Sequence, residues 1–318
     1  MVRPRLIKQA PRLWVLWAAS RPSQLALISL LYVLGVGMTA VGSPFVVDTE
    51  AVHRIDDTLV GNLNPLVTGA IALLLVAATV HYANEYADAD TDALTDRTPF
   101  SGGSGALVET DLQRSFLRAA LIASCIIATG TALLGIASGL LSTLAAGLLF
   151  ACLIAGIAYS LPPIALIRRG IGEPVNMALG GLLVPLYGVA VVATPTVFTV
   201  LVLVPFTLVV GCNLLAVHWP DRRADAAVGK RTLAVRWSSR RIRRAFAVLA
   251  LSAASITVAL WWIDILPDAV ALAHLTPVPF LVWGWRTLAR QRSPLPAVAA
   301  MVVLAISSTI SWWWVGLA

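Results

Sequence analysis

His81-Tyr-Ala-Asn-Glu-Tyr-Ala-Asp-Ala-Asp-Thr-Asp-Ala-Leu-Thr-Asp-Arg-Thr98 is the stretch that decides how this chain is read. It follows an apolar run and places five acidic residues, Glu85, Asp88, Asp90, Asp92 and Asp96, within twelve positions. Asn84, Asp88 and Asp92 recur every four residues. An α-helix sets such residues on one face, about 6 Å apart along its axis. Carboxylates at the rim of an apolar segment are costly unless positive charge sits among them. The spacing therefore predicts a helix end that gathers cations.

The rest of the chain makes that rim a membrane rim. Of 318 residues, 58% are apolar and only 12% charged, whereas soluble domains carry about a quarter charged residues. Apolar runs cover about 24–41, 65–83, 119–136, 140–159, 175–192, 197–217, 245–263, 270–285 and 297–316, close to the roughly 20 residues that cross a bilayer. The expected fold is an all-α integral membrane bundle of nine helices around a central cavity, one domain over residues 1–318. The run at 24–41 exceeds the apolar core of a signal peptide and reads as a retained span. Ahead of it, Leu13, Trp14, Leu16 and Trp17 form an apolar patch suited to the membrane interface.

Charge orients the bundle. With the N-terminus inside, the alternating inner segments hold 5, 3, 2, 9 and 3 Lys or Arg, 22 of the 23 in the chain, and Arg54 alone falls outside. That is the positive-inside bias. It predicts a multi-pass plasma-membrane protein, N-terminus cytoplasmic and C-terminus outside, with both acidic motifs on the cytoplasmic side. The +7 balance then reflects topology and anionic lipid, with no need for nucleic acid. Cys125, Cys152 and Cys212 all lie in apolar runs, as small buried residues do.

A second acidic motif mirrors the first. Adding 133 to the numbers carries Asp88 to Asp221, Asp92 to Asp225 and Arg97 to Lys230, and a Thr follows in each, Thr98 and Thr232. Weak internal repeats in membrane proteins often flank a shared site. Mg²⁺ takes oxygen ligands, commonly one or two carboxylates plus substrate phosphate. Two Asp clusters facing each other suit Mg²⁺ held against a diphosphate, with Asn84 assisting. Arg97, Lys230 and Arg231 would neutralise the departing group, and apolar walls would house an isoprenoid tail and keep water from an allylic cation. Asp90 and Asp96 read as solvated. The Gly-rich run Ser101–Gly105 lacks the phosphate-loop pattern and reads as a lid. Arg240–Arg244 read as topology determinants, and His218, one turn before Asp221, as a minor substrate contact. A transporter would place its ionisable groups at mid-membrane depth, unlike these.

On these residues the chain resembles the UbiA superfamily of intramembrane prenyltransferases. Its signature is Asn-x3-Asp-x3-Asp after the second span, here Asn84, Asp88 and Asp92. A second Asp-x3-Asp follows the sixth span, Asp221 and Asp225, trailed by Gly229, Lys230, Thr232 and Leu233. The resemblance implies Mg²⁺-dependent transfer of a prenyl group from an allylic diphosphate to an aromatic or quinone-precursor acceptor. It also implies that Arg21 reaches the diphosphate and that Tyr159 lies near the reacting centre. The run Tyr159-Ser-Leu-Pro-Pro163 with Arg168-Arg-Gly-Ile-Gly-Glu173 is similar to the dihydroxynaphthoate branch of menaquinone synthesis. Other acceptors of the superfamily, 4-hydroxybenzoate, a chlorophyllide or a glycerol lipid, and a terpene cyclase working without an acceptor, are the alternatives. Val217 departs from the pattern, standing where many members carry Asn, so that Asn213 or His218 would have to compensate.

Overall fold

A computed structural model describes residues 7, 9–47, 64–92, 94, 100, 102–110 and 112–318. Arg97, Asp96, Thr98 and Arg54 lie outside the described residues. The described chain is helical, its one extended feature an isolated antiparallel bridge between Val46 and Pro195.

A short helix α1 (Pro11–Ala19) precedes α2 (Pro22–Val41). Then come α3 (Asn64–Asp92), α4 (Arg114–Ala137), α5 (Thr143–Ser160), the single turn α6 (Leu166–Arg169) and α7, which runs from Gly172 to Val192 through a π-helical turn at Leu179–Leu183. After these follow α8 (Val197–Ala227), the turn α9 (Leu233–Arg236), α10 (Ser239–Trp262), the short pair α11 (Asp268–Ala273) and α12 (Val278–Thr287), and α13 (Leu295–Leu317).

Eight of the described helices are long and apolar enough to cross a membrane: α2, α3, α4, α5, α7, α8, α10 and α13. The run expected as an eighth span, 270–285, is instead split into α11 and α12. Pro277 lacks an amide donor and its ring clashes with the carbonyl four residues back, so the helix ends at Ala273; it restarts at Val278 with Pro279 in the first turn, where a missing donor costs little.

The most enclosed helix is α8, with 67% of its apolar window buried, against 28% for α4 and 22% for α10. Helix α8 is therefore central, and α4 and α10 are peripheral, turning Ile126, Leu134, Val248 and Leu251 outward. The main core joins Tyr32, Val76, Leu149, Tyr187, Phe206, Val210 and Leu304 from α2, α3, α5, α7, α8 and α13. At the end away from the motifs, Phe45 is buried edge-on against Trp312 at 4.9 Å, and Thr196 and Thr199 hydrogen-bond to the Phe45 carbonyl.

In lipid, helices associate largely through close packing of small residues. A Cβ added to Gly35 of α2 would lie 1.9 Å from the Pro185 carbonyl oxygen of α7, and one on Gly188 would lie 2.4 Å from the Tyr32 carbonyl oxygen. Backbone cannot yield there as a side chain could. Gly35→Val is expected to destabilise the bundle by about 1–3 kcal/mol, the usual cost of overpacking, read as a lowered unfolding midpoint in detergent. An unchanged midpoint would mean that the two helices separate freely.

The N-terminal patch is only half as expected. Leu13 and Trp17 are exposed, but Trp14 and Val15 are buried with Ala106 and Leu117 and pack beside Tyr82 and Tyr86. Helix α1 therefore sits against the acidic end of α3 and the loop that follows it.

Candidate functional site

The site forms where α3 and α8 outrun their apolar segments at the same end of the bundle. Helix α3 continues unbroken through Asn84, Asp88 and Asp92, so these share a face as their spacing predicted. Helix α8 carries Asp221 and Asp225 through its last turns, with Pro220 inside it; that proline withdraws one amide where the second motif begins.

Gly229 turns the chain back at the end of α8. Its φ of +76° is the left-handed conformation that glycine adopts at little cost and that commonly ends helices. The turn returns Lys230 over α8, its amide bonded to the Asp225 carbonyl at 2.9 Å. The Lys230 ammonium then lies 2.9 Å from Asp88 Oδ1 and 3.3 Å from Asp225 Oδ1. One buried cation thus joins a carboxylate from each motif. Burial works against the charge of Lys230, but Asp88 and Asp225 outweigh it and hold its pKa above the ordinary lysine value.

Asn84 donates from Nδ2 to Asp88 Oδ2 at 3.0 Å and to Ser160 Oγ at 3.2 Å. It orients Asp88 and ties α3 to the end of α5. Beside Ser160, Tyr159 is half-buried with Asp88, Glu173 and Asp225 as charged neighbours.

The Gly-rich run bridges the other two carboxylates. The Gly102 amide donates to Asp221 Oδ2 at 3.1 Å. Gly103, at φ +67°, lies so close to Asp92 that an added Cβ would stand 1.9 Å from its Oδ2. Ser104 then anchors the run, donating to Glu85 from its amide at 3.0 Å and from its hydroxyl at 2.5 Å. Gly103→Ala is expected to displace this loop and lower kcat/KM by about 10- to 100-fold, the scale of a misplaced reacting group. The unfolding midpoint should stay near wild type, since the loop lies outside the core; an undiminished kcat/KM would show that its placement does not matter.

Glu85 is a residue of the site that the period-four reading passes over. It is 4% exposed and binds Arg21 as well as Ser104, with Arg21 Nε and Nη2 at 2.9 and 2.6 Å from Oε1. A buried carboxylate demands such a partner, but the burial of Glu85 is set by the packing around it and is not marked in the local sequence. Burial opposes the charge of Arg21, but Glu85 outweighs it, with Asp92 and Asp88 adding to the field. Arg21 thus stands at the edge of the site, engaged by Glu85.

The run 159–173 forms the adjoining wall. Glu173 Oε1 accepts from the Leu233 amide at 2.5 Å and lies 3.3 Å from His218 Nδ1. Arg168 donates to the Val228 carbonyl at 3.1 Å, and the Arg231 amide to the Ile167 carbonyl at 3.3 Å. This wall fixes the loop that carries Lys230. His218 therefore faces Glu173. Val217 packs with the core, and the Asn213 side-chain oxygen is buried with no hydrogen-bond partner among the described residues, two helical turns from Asp221 and too deep to share an ion with it. Arg231 is exposed and does not join the cluster. Asp90 is solvated as expected, 79% exposed and 3.3 Å from Arg114.

Among the described residues no three His, Cys, Asp or Glu side chains converge on one metal-sized point. The carboxylates are linked through other groups instead, Asp88 and Asp225 by Lys230, and Asp92 and Asp221 by the adjacent Gly103 and Gly102. Such a donor set fits Mg²⁺, a hard ion commonly held by one or two carboxylates with water and substrate phosphate.

Comparison with known proteins places the chain in a family and a fold. The family model described as the UbiA prenyltransferase family matches residues 55–316, beginning after Arg21 and the first span. No curated protein sequence matches the chain. Among solved structures, a UbiA homologue from Archaeoglobus fulgidus bound to GPP and Mg²⁺ aligns with a TM-score of 0.67 at 12% identity, covering 96% of this chain and 100% of that one. The same description applies to a UbiA homologue from Archaeoglobus fulgidus bound to DMAPP and Mg²⁺, with a TM-score of 0.66 at 13% identity over 92% and 98%. A digeranylgeranylglyceryl phosphate synthase aligns with a TM-score of 0.61 at 12% identity over 95% and 99%.

Proposed function

Because this chain belongs to the UbiA prenyltransferase family and is thus a transferase of prenyl groups, we propose that it moves the prenyl group of an allylic diphosphate onto an aromatic, quinone-precursor acceptor, with Mg²⁺ as cofactor. The observation that carries this reading is the meeting of Asp88 and Asp225 on one buried ammonium at the mouth of an apolar bundle. Two separate acidic motifs have no structural need to meet there. A diphosphate with its counter-ions does need such a place.

Mg²⁺ bound by Asp88, Asp92, Asp221 and Asp225 would supply charge to the leaving diphosphate, as the ion does in general for phosphoryl oxygens. The chain's own groups do the rest. Lys230 and Arg21 are the cations that can turn from Asp88, Asp225 and Glu85 to the diphosphate oxygens, and Arg97 is assigned to the same task from the sequence motif. The allylic C1–O bond breaks with its electron pair leaving on the diphosphate. A π-electron pair of the acceptor ring then forms the new bond to C1, and the alkylated ring carbon gives up its proton, or its carboxyl group as CO₂. Gly102 and Gly103 cover the site from the loop side and limit water. Tyr159 borders the cationic centre from α5.

The acceptor class rests on the run 159–173, which resembles the dihydroxynaphthoate branch in sequence and forms a wall of the site through Glu173 and Arg168. On the positive-inside bias, the motif face is placed toward the cytoplasm, in the plasma membrane.

The test is incubation of membranes containing the protein with allylic diphosphates of several chain lengths. Each is offered 1,4-dihydroxy-2-naphthoate, 4-hydroxybenzoate, a glycerol-lipid acceptor or none, and products are read by mass spectrometry. A Mg²⁺-dependent prenylated naphthoquinol-type product is expected. A prenylated glycerol lipid, or a cyclic terpene formed without acceptor, would replace the proposal.

A further inference from the structure

The described structure holds an open hollow of about 590 Å³ away from the acidic motifs, between α10 and α12. Arg240, Arg243 and Arg244 line it from α10, and Trp285, Ala289 and Arg290 from α12 and its end. None of the four arginines pairs with a carboxylate among the described residues. From Leu233 to the end of the chain the acids are only Asp264 and Asp268, which lie beyond the far end of α10. Like charges crowded together without acids are unfavourable unless an anion joins them.

The two walls share one polarity. Along α10, Arg240 and Arg244 lie on the same stripe as Ala247 and Leu251, by the three- and four-residue spacing of a helix face. Ala247 is small and leaves the gap; Val248 and Leu251 beyond it are exposed. Along α12, exposed Val282 and Trp285 lead to Arg290. Arg243 stacks over the Trp285 ring at 5.2 Å, holding a guanidinium beside an indole, the residue pair typical of the membrane interface. The hollow therefore begins basic at the motif end of the bundle and becomes apolar along both helices.

We propose that this hollow is a binding site for an anionic phospholipid, with the phosphate among Arg240, Arg243, Arg244 and Arg290 and the acyl chains along the α10–α12 seam. A soluble phosphate would satisfy the arginines and leave the seam unused. A zwitterionic lipid would satisfy the seam and leave the arginines in excess. An anionic lipid matches both parts. The site is independent of the prenyl-transfer reading, since none of its residues belongs to the acidic motifs.

The test uses full-length protein in detergent, with native mass spectrometry and unfolding midpoints in added phosphatidylglycerol, phosphatidylcholine or inorganic phosphate. Phosphatidylglycerol is expected to bind and raise the midpoint, and the other two to do neither at equal concentration. Arg243→Gln/Arg244→Gln should weaken that binding about 20- to 30-fold, from the usual worth of two basic residues at an anionic surface. Arg240→Gln/Arg290→Gln should act likewise, without disturbing the Trp285 stack. Arg118→Gln/Arg286→Gln, which removes two exposed charges elsewhere at the same end, should leave binding within about twofold, since single surface charges outside a built site contribute little. Equal binding of phosphatidylcholine, an equal effect of inorganic phosphate, or equal losses in all three double variants would overturn the proposal.

Discussion

Asp88→Asn and Asp225→Asn, each made alone, are expected to cut the rate of prenyl transfer by about 10²–10³, the scale seen when one charge-stabilising group is removed from an active site. The substitution keeps the shape of the side chain and removes its charge. Asp88 meets Lys230 at 2.9 Å and Asn84 at 3.0 Å. The amide can still accept from Asn84, so local structure should persist, and Lys230 keeps Asp225 as a partner. What is lost is one anionic ligand for the counter-ions of the diphosphate. Asp90→Asn is the matched control. Its carboxylate is 79% exposed, and an exposed pair with Arg114 contributes little, so its rate should stay within about twofold of wild type. The measurement is initial rate at saturating Mg²⁺ and prenyl diphosphate, with folded protein quantified by size exclusion. Full Mg²⁺-dependent activity in Asp88→Asn would remove the basis for the proposed chemistry.

The helix that carries Asn84, Asp88 and Asp92 was legible because period and polarity agree over about two turns. The pairing of the two motifs was legible because a constant 133-residue offset survives any error in span boundaries. Glu85 was not, because it lies one residue off the repeating face and its partners, Arg21 and Ser104, are 64 and 19 residues away. Its meaning depends on where α1 and the Gly-rich loop pack, and no local pattern encodes that. Trp14 shows the same limit. An amphipathic stretch cannot say whether lipid or protein covers its apolar face, and here α4 and the Gly-rich segment cover Trp14 while Leu13 and Trp17 stay exposed. The broken segment at 268–287 was readable in principle. Hydropathy averages over Pro277 and Pro279, whereas backbone chemistry does not.

Lys230 carries two readings, and one substitution separates them. In the structure it neutralises Asp88 and Asp225; in the proposed reaction it turns to the diphosphate. Lys230→Met keeps most of the side-chain bulk and removes the charge. Two buried carboxylates then share a site without their cation. Breaking a buried ion pair in this way costs about 3–5 kcal/mol, and the lower end is expected here because the Asp88 side chain is 14% exposed. The unfolding midpoint without divalent ions should fall accordingly. Mg²⁺ should then stabilise Lys230→Met more than wild type, because no ammonium competes for the same two oxygens. Saturation at about 100 times the dissociation constant would return about 2.7 kcal/mol. Activity should nonetheless remain about 10²-fold low even where Mg²⁺ restores the fold, since the positive charge facing the leaving group is still missing. Equal Mg²⁺ shifts in both proteins would show that the ion and Lys230 do not share Asp88 and Asp225. Recovery of full activity along with stability would confine Lys230 to holding the two motifs together.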